Sequence, residues 1–510
     1  MKIFNQLSKK ITITPQNLFV GIYIVLVLLY VLIRAFSVSV VHDEATTFFI
    51  SLKNYSSIFN FSSLGDFAVN NHILNTLLIK FFQIIFGQFN FILRLPAILG
   101  FGLYLWYSVK ISKLLFTKNW VIISVIALTL NPFVLDFFSL ARGYSLGLGL
   151  LMGSLYFFFF SFGKKATPNT IFNLIICGLL SSLANFTFIT PFLVIIYLRI
   201  ALYSYEYFNN KKTQNIKSLM TMALIPAIAN PILLYTLLGP QLVYLKKAGL
   251  LYAGGNSGFF VDTVLSLIKA SLYNTNITSP ISYIPVIIML LFFVIGAGLI
   301  IYLYKKKSKV ENSNTSYMFA ILILLYIASI IQHWIFKTPF VTERTAIYYI
   351  PLVMLLLVLI FKTMYSVVKE NRKIYLQAIA LTLLLGLTIN FFSNMNLSYT
   401  YAWKYDSDTK DILTDIELIH QATPQAQLYI WNNWKLMPSI NYLKHTESIT
   451  WLPWSKTLPP TSNYNVYILL PGDEVLIEAY SLQIIKEYEN SGAVLAIKSY
   501  KPKATTPSLE

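Results

Sequence analysis

The first 393 residues hold nine carboxylates, few enough for each to be weighed. Asp43 and Glu44 are adjacent, are flanked by Val40, Val41 and His42, and follow an apolar run by only a few residues. A carboxylate at a membrane surface is costly to desolvate, so such a pair calls for a role. One role is general-base catalysis, with Asp43 taking a proton from an acceptor hydroxyl while Glu44 orients substrate. The competing role is a polar cap for a helix starting near Thr46. Glu206, Glu311 and Glu370 fall among lysines and read as charge balance. Asp262, ahead of Thr263, reads as a helix cap, and Asp66, after Gly65, as a turn residue. Asp136 is left as a second candidate carboxylate.

A phosphate-bearing substrate would need cations on the same side, and Arg94, Arg142, Lys80, Lys337 and Arg344 are available. Arg344 suits the task best. It follows Pro339-Phe340-Val341-Thr342-Glu343 at the mouth of an apolar run, where a planar donor fork can meet a lipid phosphate. Its other reading is a structural pair with Glu343 or a snorkelling side chain. Arg142, in Ala141-Arg142-Gly143-Tyr144, and Lys80 are further phosphate candidates, and His72, Asp136 and Glu343 are candidates for substrate contact. No spacing of His, Asp or Glu makes a strong metal site, so no cofactor is expected from the residues.

The elements that must position these groups are membrane helices. Hydrophobic residues make up 56% of the chain and charged ones 12%, too apolar a balance for a soluble core. Runs such as Leu18 to Ile33, Ile281 to Tyr304, Tyr348 to Phe361 and Ile374 to Phe392 approach the length that crosses about 30 Å of hydrocarbon. Eleven spans are expected, near 18–38, 92–116, 119–138, 143–162, 170–187, 189–205, 217–237, 281–304, 315–336, 345–366 and 374–393. Lys2, Lys9 and Lys10 precede the first, which reads as a retained helix rather than a cleaved signal. An inside N-terminus then puts Lys110/Lys113/Lys118, Lys164/Lys165, Lys211/Lys212/Lys217, Lys305/Lys306/Lys307/Lys309 and Lys362/Lys369/Arg372/Lys373 in inner loops.

That assignment requires the stretch 73–86 not to cross. Asn71, His72, Asn75, Thr76, Lys80 and Gln83 give it one polar face, as suits a helix lying at the interface. A second amphipathic helix is expected near Thr46 to Phe59. From about 394 the texture changes: extended runs at Gln427 to Trp431, Ile449 to Leu452, Val466 to Leu470 and Ala493 to Ile497 alternate with helical patterns at Thr409 to His420 and Asp473 to Ile484. The expected architecture is an all-α polytopic membrane domain over 1–393 and a small extracytoplasmic α/β domain over 394–510.

The net charge of +18 does not point to nucleic acid, because it is segregated along the chain. Residues 1–393 hold 30 Lys/Arg, whereas the remainder holds nine Lys/Arg against twelve Asp/Glu. The lone Cys177 excludes an internal disulfide. Gly254-Gly255-Asn256-Ser257-Gly258 follows no strand pattern and makes no nucleotide fingerprint.

Asp43-Glu44 in the first outer loop, Asn71-His72-Ile73-Leu74, Arg94-Leu95-Pro96-Ala97, Asn131-Pro132 through Ala141-Arg142-Gly143-Tyr144, and Glu343-Arg344 together resemble the protein O-mannosyltransferase and aminoarabinose transferase branch of the GT-C glycosyltransferases. The resemblance spans roughly residues 1–393. It implies a polyprenyl-phosphate sugar donor, an acceptor hydroxyl on a protein, lipid or glycan, inversion at the anomeric carbon, and a site on the outer face of the plasma membrane. Under it, Asp43 is the base, Glu44 its supporting acid and Arg344 a ligand of the leaving lipid phosphate. The family often has His-Pro-Pro-Leu where this chain has His72-Ile73-Leu74, and an acidic residue or glutamine before the arginine that here follows Leu140-Ala141. Some relatives bind a divalent metal and others do not, so the resemblance predicts none. A transporter or flippase of lipid-linked saccharide is the alternative, and a scaffold displaying the tail a third; intramembrane charges and repeats that would favour transport are sparse.

Overall fold

The computed structural model describes residues 14–163, 167–209, 216–251, 253–273, 284–305, 311–423, 427–461 and 463–498. Among these, eight helices are long and apolar enough to cross a membrane, and a bent pair, Asn119–Thr129 with Pro132–Phe138, would make a ninth. The bend of 69° falls where Pro132 cannot continue the helical hydrogen bonds and where Asn131 caps the next turn by accepting the Val134 N–H at 3.1 Å. Tyr144–Phe160 and Pro168–Ala184, at the expected fourth-span and fifth-span positions, are shorter apolar helices of 17 residues. The chain is a multi-pass membrane protein of the expected helical class. The lysines at 164–165, 211–212 and 306–309, and the N-terminal ones, lie outside the described residues.

Tyr144–Phe160 is the centre of the bundle, buried on nearly every side. It packs against Asn90–Leu115 and Pro168–Ala184, and Gly100 permits the first approach, since a Cβ there would overlap the backbone of Ser145 and Leu146. Helices farther out expose leucines, isoleucines and phenylalanines, as lipid-facing surfaces do.

The first outer loop folds into a helix at His42–Leu52, short helical turns through Asn70, and a second helix at Ile73–Phe86. The first starts at His42 rather than near Thr46, so Asp43 and Glu44 lie inside its opening turn. The second has the expected 14 residues, but its polar face turns inward. Asn75, Thr76 and Gln83 are buried, Gln83 accepting the Ser51 hydroxyl at 2.8 Å, while Phe81, Ile84, Ile85 and Phe86 are exposed.

The tail contains a four-stranded sheet in the order β1 (Ile430–Asn432), β2 (Val466–Leu469), β4 (Val494–Lys498), β3 (Leu482–Glu487). β1 and β2 are parallel and the other pairs antiparallel. Ile449 to Leu452 forms no strand, and the helix expected over 473–484 is only Val475–Ala479. Ser481, at φ 51°, ends it and starts β3. A helix not anticipated, Met437–Thr446, lies on His42–Leu52, with the Phe48 and Tyr442 rings 4.7 Å apart. The tail thus rests on the helix that bears Asp43.

Candidate active site

Three carboxylates of the membrane region meet arginines, and the geometry sorts them. Glu44 is fully buried, its oxygens receiving Arg94 Nε at 2.9 Å, Arg94 Nη2 at 2.7 Å, the Val41 N–H at 3.2 Å and the Ala141 N–H at 2.5 Å. Arg94 also reaches the carbonyls of Ala35, Val38 and Ser39, closing the C-terminal end of the first span. A carboxylate so saturated has no lone pair to offer a substrate. Its geometry fits an anchor that joins the site helix, the first span and the Arg142 segment rather than a group acting on substrate.

Asp136 is likewise enclosed. Arg34 Nη2 meets it at 2.6 Å, and its other oxygen accepts the Tyr401 N–H at 2.8 Å. Arg34 also donates to the carbonyls of Asn396 at 2.6 Å and Tyr399 at 2.9 Å. The pair grips the chain just beyond the last span. Lys80 also stands apart: its ammonium donates to the carbonyls of Ser51 and Lys53 and lies over the Tyr55 ring. None of Glu44, Asp136 and Lys80 joins the remaining candidates.

Asp43 is the loosest and most open of the three. Its Oδ2 lies 3.2 Å from Arg142 Nη2 and 3.8 Å from Arg344 Nη1, and the side chains of Asp43 and Arg344 are 10% and 33% exposed against 0–3% in the two closed pairs. Burial pushes the Asp43 carboxyl up, but Arg142 and then Arg344 outweigh it and hold it below the ordinary carboxylate value. Asp43 therefore presents a carboxylate to two cations.

Each arginine is set by local structure. Arg142 sits in the non-helical stretch before Tyr144, donates to Asn70 Oδ1 at 2.9 Å, and leaves Nε without a partner among the described residues. Gly143 is required beside it, because a Cβ there would collide with the Ala184 carbonyl. Arg344 lies in the turn Glu343–Ala346, with its guanidinium 5.0 Å from the centroid of the buried Trp403 ring. That contact sets the cation against an aromatic face. The preceding Glu343 is half-buried at φ 41°, an uncommon conformation for a side chain of its size, and its N–H donates to Ser266 Oγ at 3.0 Å. Burial raises the Glu343 carboxyl against the opposing pull of Arg344.

His72 lies within electrostatic reach of this group and 3.4 Å from Asn185 Nδ2. Burial and then Arg142 push its imidazole well below the usual value, outweighing Asp43, which leaves a neutral ring with Nδ1 unpartnered among the described residues. Thus Asp43, Arg142 and Arg344 come together, with His72 and Glu343 at the periphery. No group of three or more potential metal ligands occurs among the described residues. Arg34, Trp403 and Asp406 were not anticipated; an arginine inside an apolar run was the one available signal, for Arg34.

No family model and no curated protein matches the chain. Among solved structures, the apo form of ArnT from Cupriavidus metallidurans matches with a TM-score of 0.50 at 11% identity, over 95% of this chain and 99% of that one. The chain shares the ArnT fold. The expected fold class and the resemblance drawn from the motifs are borne out at that level. The crystal structure of ArnT bound to undecaprenyl phosphate gives a TM-score of 0.49 at 11% identity, over 94% of this chain and 98% of that one. An Archaeoglobus fulgidus oligosaccharyltransferase, in complex with Zn and sulfate, gives 0.40 at 17% identity, over 73% of this chain and 53% of that one.

Proposed function

We propose that this protein is a membrane glycosyltransferase that moves a sugar from a polyprenyl-phosphate donor to an acceptor hydroxyl at the outer face of the plasma membrane. The observation that carries the reading is the Asp43 carboxylate facing Arg142 and Arg344, the most open of the three carboxylate–arginine sites of the membrane region. A general base beside two guanidiniums is the minimum for this reaction: one group to receive a proton, two to hold an anionic leaving group. ArnT, whose apo form shares the fold, has been crystallised with undecaprenyl phosphate, which supports a lipid phosphate as the ligand of those arginines.

In the proposed reaction the acceptor oxygen attacks the anomeric carbon as Asp43 takes its proton. The bond from that carbon to the phosphate oxygen breaks, and the lipid phosphate leaves with the bonding electrons. Configuration inverts, because one displacement occurs. Arg344 and Arg142 hold the phosphate, His72 and Glu343 contact substrate, and the tail domain stands on the same outer side. A phosphate between the arginines competes with Asp43 for their charge, so donor binding itself makes the carboxylate more basic. The acceptor is a hydroxyl of a protein, lipid or glycan.

The test is release of polyprenyl phosphate from polyprenyl-phosphate-linked sugar by the purified protein in lipid nanodiscs. Glycosyl transfer requires stoichiometric release of the lipid phosphate with a new glycoside. Movement of intact donor between leaflets of a vesicle, without cleavage, would establish the flippase instead.

A further inference from the structure

The helix that carries Asp43 lacks a cap of its own. Its N-cap residue is Val41, whose side chain can accept nothing, and the first residue in the helix is His42. Glu44 reaches back to the Val41 N–H, but the His42 N–H needs another acceptor. It finds one 364 residues away: Asp406 Oδ2, at 2.7 Å. The other oxygen of Asp406 accepts the Ser439 hydroxyl at 2.8 Å, from the helix that packs on this one. Asp406 is fully buried and forms no ion pair with any described Lys, Arg or His. A carboxyl kept in such a place without a counterion is costly, so its hydrogen bonds must secure something.

We propose that Asp406 is the positioning residue of Asp43: it caps the site helix from the tail and so fixes the Asp43 carboxylate between Arg142 and Arg344. This rests on the reading of Asp43 as the base. The cap fixes the orientation of the first helical turn, where Asp43 is the second residue, and a shift of about 1 Å at a reacting group can cost about 10²-fold in rate. Burial pushes the Asp406 carboxyl well above its usual range, against the His42 N–H and the Ser439 hydroxyl, and Asp43 and Glu44 push it further. Asparagine, which keeps an acceptor oxygen and the shape of the side chain, is its close mimic.

The experiment is a double-mutant cycle on the full-length protein in nanodiscs, reading kcat and donor KM. Asp406→Ala should lower kcat about 10²-fold with little change in donor KM, whereas Asp406→Asn should retain near wild-type kcat. In an Asp43→Asn background, Asp406→Ala should add less than about threefold, because it acts through a group already lost. Should Asp406→Ala fail to accumulate, His42→Pro against His42→Ala makes the same comparison. Proline suits the first helical position, and Val41, at φ −93° and ψ 160°, suits the residue before it; both variants lose the imidazole, and proline alone also loses the N–H that donates to Asp406. His42→Pro should then fall well below His42→Ala in kcat. Wild-type kcat in folded Asp406→Ala, equal kcat in the two His42 variants, or full multiplication of the Asp406 and Asp43 losses each overturns the proposal. Wild-type turnover in Asp43→Asn alone would instead overturn the reading of the base.

Discussion

Replacing Asp43 by asparagine separates proton transfer from donor binding, because the same carboxylate is proposed to serve as base and to occupy the phosphate ligands. The amide keeps size and polarity but accepts no proton, and general-base contributions run about 10²- to 10⁴-fold, or about 3–5 kcal/mol. The effect on donor affinity has the opposite sign. At 3.2 and 3.8 Å the carboxylate competes with phosphate for both guanidiniums. At an effective dielectric of about 20, a single charge pair at such distances is worth about 4–5 kcal/mol before desolvation. Arg344 is one-third exposed, so a net of about 1 kcal/mol is the reasonable remainder, or about fivefold. Asp43→Asn should therefore lose kcat by two to four orders of magnitude while donor KM falls severalfold. Single-turnover assays with polyprenyl-phosphate-linked sugar, following free polyprenyl phosphate by mass spectrometry, give both numbers. Near wild-type turnover would refute the base, and a weakened donor KM would refute the shared site.

The remaining expectations can be checked on the same preparation. Arg344→Ala should raise donor KM about 10- to 100-fold, as expected for a lost hydrogen bond to a charged group, and Arg344→Lys should recover only part of it, since an ammonium has no planar fork; unchanged donor kinetics in the alanine variant removes Arg344 from the site. Glu44→Gln should destabilise by about 3–5 kcal/mol by breaking its buried pair with Arg94, while the folded fraction keeps kcat within a few fold; a stable variant with a collapsed kcat would restore Glu44 to catalysis. In a Cys177→Ser background, Ser63→Cys and Ser462→Cys should label with an impermeant reagent in intact cells and Ser308→Cys should not; the reverse pattern inverts the topology.

What was legible in the sequence follows from how far each interaction reaches along it. Hydropathy is local, and the helices at 90–115, 311–336 and 370–394 arise close to where apolar runs placed them. The meeting of Asp43 with Arg142 and Arg344 was anticipated from residue chemistry at the mouths of spans, without any signal for distance or partner. The pairing of Glu44 with Arg94 is not legible, because the two lie 50 residues apart and Arg94 reads as a free cation. The start of the site helix was placed too late because its cap is Asp406, and nothing near Val41 announces it. Ile73–Phe86 had the right length and stripe, but a polar stripe alone does not say whether water or protein covers it. In the tail, Leu482 to Ile484, the start of β3, reads as helix because its pattern continues that of Val475–Ala479, and only the backbone turn at Ser481 separates the two.

The grip of Arg34 on the chain beyond the last span has a consequence for biosynthesis. Arg34 enters the bilayer with the first helix, yet Asp136 is 102 residues downstream and the Asn396 carbonyl 362. At about 5–20 residues per second, the nascent protein holds that guanidinium without its last partner for about 20–70 s. Until Asp136 follows, after about 5–20 s of that interval, the cation must borrow lipid headgroups, water or an insertion factor as temporary hosts. From then on an unfinished chain differs from a complete one by an arginine still lacking its carbonyl partners, and these arrive with the segment that brings Trp403 to Arg344.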